Sequence, residues 1–308
     1  MLVNIAFLVL LWKSPMAVYY SAGLCVYAWL AGLLLEKKHH KAVLAASLAL
    51  PVLGLCFFKY VYDFTGWYIM MPLGISFYTF KAVGYLADIY ENRFRARDLI
   101  DVFDYLIFFP AFTAGPIHRP AAFFEQLEKP WTFDYRDQKN GVIQAGAGMF
   151  QKLVIAEELA RLTKLFLYNP EVSGWYTWFG VLLYTFQIYV DFDSYSNIAI
   201  GTARMLGFRL ERNFHTPYLS SSIQEFWRRW HISLSSWLRD YVYIPLGGSR
   251  KGSLRKYINI LIVFLVSGMW HGSAKVFIIW GLGHGVLNVI EGMIREKWGK
   301  LYRTWMKA

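Results

Sequence analysis

Seven stretches of this chain, at about 15–35, 42–62, 67–90, 141–168, 176–203, 257–274 and 275–292, are apolar. Each runs near the ~20 residues that a helix needs to cross a bilayer core. A chain built this way has few options. Backbone polar groups in lipid must be satisfied internally, so the stretches predict an all-α polytopic membrane protein. Shorter or interrupted apolar runs lie at 1–12, 99–117 and 223–246. The 1–12 run lacks a basic leader and a small-residue cleavage site, which argues against a cleavable signal peptide. Composition agrees. Charged residues make up 17% and hydrophobic ones 56%, well away from the roughly 25% charge of soluble domains. The 13 Trp, 21 Tyr and 24 Phe suit membrane interfaces and lipid-facing packing.

The net charge of +11 comes from clusters at Lys37–Lys41, Arg93–Arg97, Arg119–Lys139, Arg204–Arg212, Arg250–Lys256 and Arg295–Lys307. No soluble basic domain accompanies them, so they point to the lipid bilayer as partner and not to nucleic acid. Placing every basic cluster on the cytoplasmic side follows the positive-inside bias. That placement requires 99–117 and 223–246 to enter and leave on one side. The first is broken by Pro110 and Gly115-Pro116, and the second is too charged to span. Irregular backbone at membrane depth must be buried in protein or line a cavity. These two segments are therefore the expected re-entrant walls of a central cavity. Cys25 and Cys56 lie in apolar runs and read as small fillers, with no metal site expected.

Ionisable residues inside membrane segments are functional-site candidates by default. Ser267-Gly-Met-Trp-His-Gly272 puts His271 late in an apolar helix, with glycines that admit a second backbone or a substrate. A histidine there is a candidate general base, or else a helix-packing residue bonded to a carbonyl. Read as one helix, 225–241 gathers Trp227, Trp230, Leu234, Trp237, Leu238 and Tyr241 on one face. Arg228 and Arg239 fall on a flank and His231 on the seam, a pattern that also fits an interfacial helix. Asp191, Asp193, Ser194, Ser196 and Asn197 interrupt a third apolar run. An inter-helix hydrogen-bond network is the favoured reading of that group, with Asp191 also able to orient a catalytic group. Gly247-Gly-Ser-Arg-Lys-Gly252 lacks the ending of a phosphate-binding loop, and neither a His-Glu-x-x-His nor a Gly-x-Ser-x-Gly motif is present.

Together these residues resemble the membrane-bound O-acyltransferase family, and within it the branch that acetylates alginate. The matching blocks are Pro72-Leu-Gly-Ile-Ser-Phe-Tyr-Thr-Phe80, Phe109-Pro-Ala-Phe-Thr-Ala-Gly-Pro-Ile117, Asp191-Phe-Asp-Ser-Tyr-Ser-Asn-Ile-Ala-Ile-Gly201 and Asn213-Phe-His-Thr-Pro-Tyr218. They continue with Glu225-Phe-Trp-Arg-Arg-Trp-His-Ile-Ser-Leu-Ser-Ser-Trp-Leu-Arg-Asp240, Tyr243-Ile-Pro-Leu-Gly-Gly248 and Gly268-Met-Trp-His-Gly272. The resemblance covers about residues 50–290. It implies a helical bundle with re-entrant helices around a cavity or tunnel, forming one membrane-embedded domain over 1–308, short at both termini. It identifies His271 with the family's essential histidine and His231 with its second. Asp191, Asn213, Arg228, Trp230, Arg239 and Trp270 are the supporting candidates.

The implied reaction carries an acyl group from a cytoplasmic donor, acetyl-CoA, to hydroxyls of an exported polysaccharide across a bacterial inner membrane. No tightly bound cofactor is implied. A periplasmic or extracellular acetyltransferase-like partner protein would complete the transfer. D-alanyl transfer to teichoic acid is the alternative enzyme, and a transporter or non-catalytic scaffold the alternative class. Asp193-Ser194 and Asn197 depart from the family's usual Ser-Gly and Asp.

Overall fold

The computed structural model describes residues 1–11, 14–130, 132–169 and 171–299. Trp12 and the basic residues beyond 299 lie outside them. Among the described residues the structure is helical, without strands. Thirteen helices follow in order: α1 Leu2–Leu10, α2 Pro15–Lys37, α3 Lys41–Thr65, α4 Ile75–Tyr90, α5 Leu99–Leu106, α6 Pro120–Leu127 and α7 Tyr135–Phe150. Then come α8 Glu157–Leu167, α9 Trp175–Met205, α10 Ile223–Arg229, α11 Ile232–Leu238, α12 Ser253–His271 and α13 Lys275–Lys297.

Four of these, α2, α3, α12 and α13, are long and apolar enough to cross a membrane. The other expected stretches at 67–90, 141–168 and 176–203 do not meet that measure of length and apolarity among the described residues. The 67–90 run forms a helix only from Ile75, because Gly74 turns the chain at φ +78°. A Cβ on Gly74 would stand 2.5 Å from the Phe112 carbonyl oxygen. The resulting α4 is buried on nearly all faces, with Tyr78, Lys81, Tyr85 and Leu86 almost fully enclosed. Continuous apolarity here marks the protein core and not a lipid-facing span. The Lys81 ammonium donates to the Leu106 carbonyl at 3.1 Å, satisfying the C-terminal end of α5.

The 141–168 run is α7 and α8 joined through a wide turn at Gln151–Ala156, and it packs along α9. Several polar residues of α9 line this contact. Asn197 accepts from Gln144 at 3.2 Å and donates to Asp193 at 3.1 Å, while Lys152 pairs with Asp191. At the other end of the pair, Arg204 and Arg209 both hold Asp137. The inter-helix network expected for 191–197 is present. Segments 99–117 and 223–246 are short helices with irregular backbone between and after them, and neither forms a spanning helix.

α12 and α13 form an antiparallel pair around Gly268 and Gly281. A Cβ on Gly268 would lie 2.4 Å from the Phe277 carbonyl oxygen. The close approach anticipated at Gly268 is thus to a backbone of the same chain. Gly268→Val drives this pair apart, with an expected loss of about 1–3 kcal/mol from overpacking. Thermal unfolding in detergent checks it; an unchanged midpoint would exclude the seam as a stabilising contact.

Candidate functional site

The segment expected to be one amphipathic helix is broken at its most interesting residue. α10 ends at Arg229, Trp230 is extended, and His231 takes φ +42° and ψ +56° before α11 begins. A non-glycine residue in this left-handed region costs roughly 1–3 kcal/mol and persists only where surroundings over-determine it. Here they do. On one side of His231 the His215 N–H donates to the Arg229 carbonyl at 2.9 Å. On the other, the Ile232 N–H donates to the Asn213 carbonyl at 2.8 Å. Buried Asn213 finishes the clamp. Its amide donates to Ser196 of α9 at 3.0 Å, and its side-chain oxygen accepts from the Ser233 hydroxyl at 2.6 Å. That hydroxyl also accepts the Ile117 N–H at 3.0 Å. Four of the sequence blocks meet at this knot. The single tryptophan face expected across 225–241 does not exist. Trp237 stacks on Phe80 at 3.9 Å between centroids, while Trp227 packs against Phe264 and His284.

The break aims the His231 ring inward. It is 1% exposed and lies 4.6 Å from the Phe192 ring and 5.9 Å from that of Trp270. Trp270 in turn stands 4.8 Å from His271, which closes α12 and is exposed. One indole therefore touches both histidines. Beyond His271 the chain of rings continues through Trp280 at 5.0 Å to His284 at 5.2 Å and Trp227 at 5.1 Å. Four buried ring nitrogens here have no partner among the described residues: His231 Nε2, Trp270 Nε1, Trp227 Nε1 and His284 Nδ1. Buried polar atoms are nearly always paired, so such a concentration marks a place built to bind something polar.

Counted from Ser253, a ~1.5 Å rise puts His271 roughly 27 Å along α12, close to the full depth of a ~30 Å core.

The supporting candidates divide. Asn213 clamps the His231 turn, and Trp270 stands between the two histidines. The Asp191 carboxylate is taken by Lys152. Trp230 packs in a neighbouring aromatic group with Tyr189, Phe214, Tyr218 and Phe226. Arg228 is exposed. Arg239, 63% exposed, pairs with Asp240, which also holds Arg119 at 2.8 Å. Bonds from the Ser221 hydroxyl and N–H hold the Glu225 carboxyl down at about 2. Trp280, His284 and Lys59 were missed by sequence reading. Trp280 and His284 are four residues apart on α13, the spacing that puts two side chains on one helix face, and this was the available signal. A cavity of about 670 Å³ lies elsewhere, lined by Gln126, Asp137, Arg204 and Arg209 among others. None of the candidate residues lines it, so it is not the expected tunnel.

Comparison with known proteins bears on the same residues. The model of the membrane-bound O-acyltransferase family matches residues 87–299. A probable alginate O-acetylase AlgI of Pseudomonas fluorescens is 43% identical over 231 residues, covering 74% of this chain and 46% of the relative. A peptidoglycan O-acetyltransferase of Helicobacter pylori is 35% identical over 268 residues, 78% of this chain and 51% of the relative. A teichoic acid D-alanyltransferase of Bacillus subtilis is 31% identical over 250 residues, 77% and 62% respectively. The chain spans about half the length of the alginate and peptidoglycan relatives it matches. With the family match running through both histidines and the rings between them, the chain belongs to the membrane-bound O-acyltransferase family.

Proposed function

We propose that this chain carries the acyl-transfer site of a membrane O-acyltransferase, moving acetyl groups from acetyl-CoA on the basic, cytoplasmic side to hydroxyls of an exported polysaccharide. The observation that carries the reading is the convergence of His231 and His271 on the Trp270 indole. His271, on the open side, takes the proton of the acceptor hydroxyl as that oxygen attacks the acyl carbonyl. His231, buried and locked by the Asn213 clamp, keeps Nε2 free to orient the carbonyl or the leaving thiol. The new C–O bond forms, the C–S bond breaks, and the proton on His271 returns to the thiolate.

The bilayer is the barrier to be crossed, so the donor reaches the site from one face and the acceptor from the other. Segments 99–117 and 223–246 enter and leave on the cytoplasmic side in this reading, in a bacterial inner membrane. An acetyltransferase-like partner outside the membrane completes delivery to the polysaccharide. Acetyl is favoured over D-alanyl because the alginate relative is 43% identical and the D-alanyl relative 31%. Membranes containing the full-length protein, supplied with labelled acetyl-CoA or a labelled D-alanyl carrier protein, decide between them. Acetyl label should appear in acceptor; label from D-alanine alone would overturn the acetyl assignment.

A further inference from the structure

The acyl-transfer reading leaves one charge beside the histidines unused. Lys59 lies in α3, one of the four helices apolar enough to cross a membrane. Its ammonium sits 5.4 Å from the centroid of Trp270, the indole that both histidines touch. Three lysines elsewhere in helical segments have oxygen partners: Asp191 for Lys152, Glu296 for Lys256 and the Leu106 carbonyl for Lys81. Among the described residues no carboxylate pairs with Lys59. A lone cation in a span is costly, and a ring face offsets only part of that cost.

Depth adds a second argument. The Tyr60 hydroxyl donates to the Met269 carbonyl at 2.7 Å, which pins α3 to α12 at this level. From Lys41 to Lys59, as from Ser253 to His271, a ~1.5 Å rise gives roughly 27 Å. Both helices begin in basic clusters, so Lys59 and His271 share the far end. A lysine near a helix end ordinarily extends its head toward water. This one lies over the indole instead.

We infer that Lys59 is the electrostatic group of the acyl-transfer site, its ammonium stabilising the negative charge that builds on the acyl carbonyl oxygen. The inference rests on the acyl-transfer reading and holds for any hydroxyl acceptor, because the oxyanion arises from the donor carbonyl. When the acceptor oxygen bonds to the carbonyl carbon, the C=O π pair moves onto oxygen. The acceptor proton passes to His271. Collapse of the oxyanion restores C=O and expels the thiolate. A positive charge fixed beside the carbonyl is stronger there than in water, and it acts most in the transition state.

The test compares Lys59→Met, Lys59→Arg and His271→Ala in the full-length protein, in membranes supplied with acetyl-CoA and polysaccharide. Lys59→Met should lower turnover at saturating substrates by about 10²–10³-fold with little change in either KM. Lys59→Arg, which keeps the charge, should recover much of that loss. Wild-type turnover in Lys59→Met, or a defect confined to KM, overturns the role. If Lys59→Met does not accumulate, Lys59→Gln against Lys59→Arg carries the same comparison. If Lys59→Met is inert while His271→Ala abolishes transfer, this inference alone fails. If His271→Ala is fully active, the acyl-transfer reading itself fails.

Discussion

Replacing His271 with alanine should lower acyl transfer by about 10²–10⁴-fold, the contribution expected of a positioned general base. The protein should still insert and extract normally. His271 is the last residue of α12 and is exposed, so little packing depends on it. Its ring touches Trp270 and Trp280, both of which have other aromatic neighbours. The measurement is labelled acetyl transfer per mole of folded protein in detergent, with the unfolding midpoint as control. Transfer within twofold of wild type would remove His271 from the chemistry.

The second large effect is expected at a residue that need not touch substrate. Asn213→Ala removes the acceptor for the Ser233 hydroxyl and the donor to Ser196, in a fully buried position. Leaving buried partners unpaired costs about 1–3 kcal/mol each, so a loss of about 2–4 kcal/mol in stability is expected. The left-handed His231 then loses part of the framework that holds it there. Activity per folded molecule should fall at least tenfold, mostly in turnover. Ser233→Ala breaks the bonds to Asn213 and to the Ile117 N–H but leaves the Asn213–Ser196 bond, so its effect on turnover should lie between. The two substitutions share a hydrogen bond, so their effects should be less than additive in a double-mutant cycle. Full additivity would show that Asn213 and Ser233 act separately and that no clamp exists.

The contrast between these two residues measures what could be read along the chain. His271 was visible because an ionisable residue in a long apolar run is expensive wherever it packs. Asn213 entered through family resemblance; its work depends on Ser196 and Ser233, which lie far from it along the chain and come to it only in the folded bundle. The break at Trp230-His231 was not visible either. Helical periodicity across 225–241 is good, and local propensity favours continuing the helix. Tertiary hydrogen bonds to residues 213 and 215 override it. The same holds for the 67–90 run, where hydropathy reports removal from water and cannot tell lipid from protein interior. Only packing shows that α4 is the core. Lys59 could have been flagged by the rule that found His271, yet its place beside Trp270 needs α3 and α12 together.

By itself, then, the sequence determined the environment: a helical membrane protein, its basic clusters, and the two histidines that its motif blocks carry. Those follow from transfer free energies and short-range geometry, which each segment expresses alone. The tertiary structure decided which apolar helices face protein, where 225–241 breaks, and that His231, His271 and Lys59 share one indole. These are contacts between distant segments. Their energies are realised only when desolvated rings and hydrogen-bonding groups meet, so no single stretch of chain contains them.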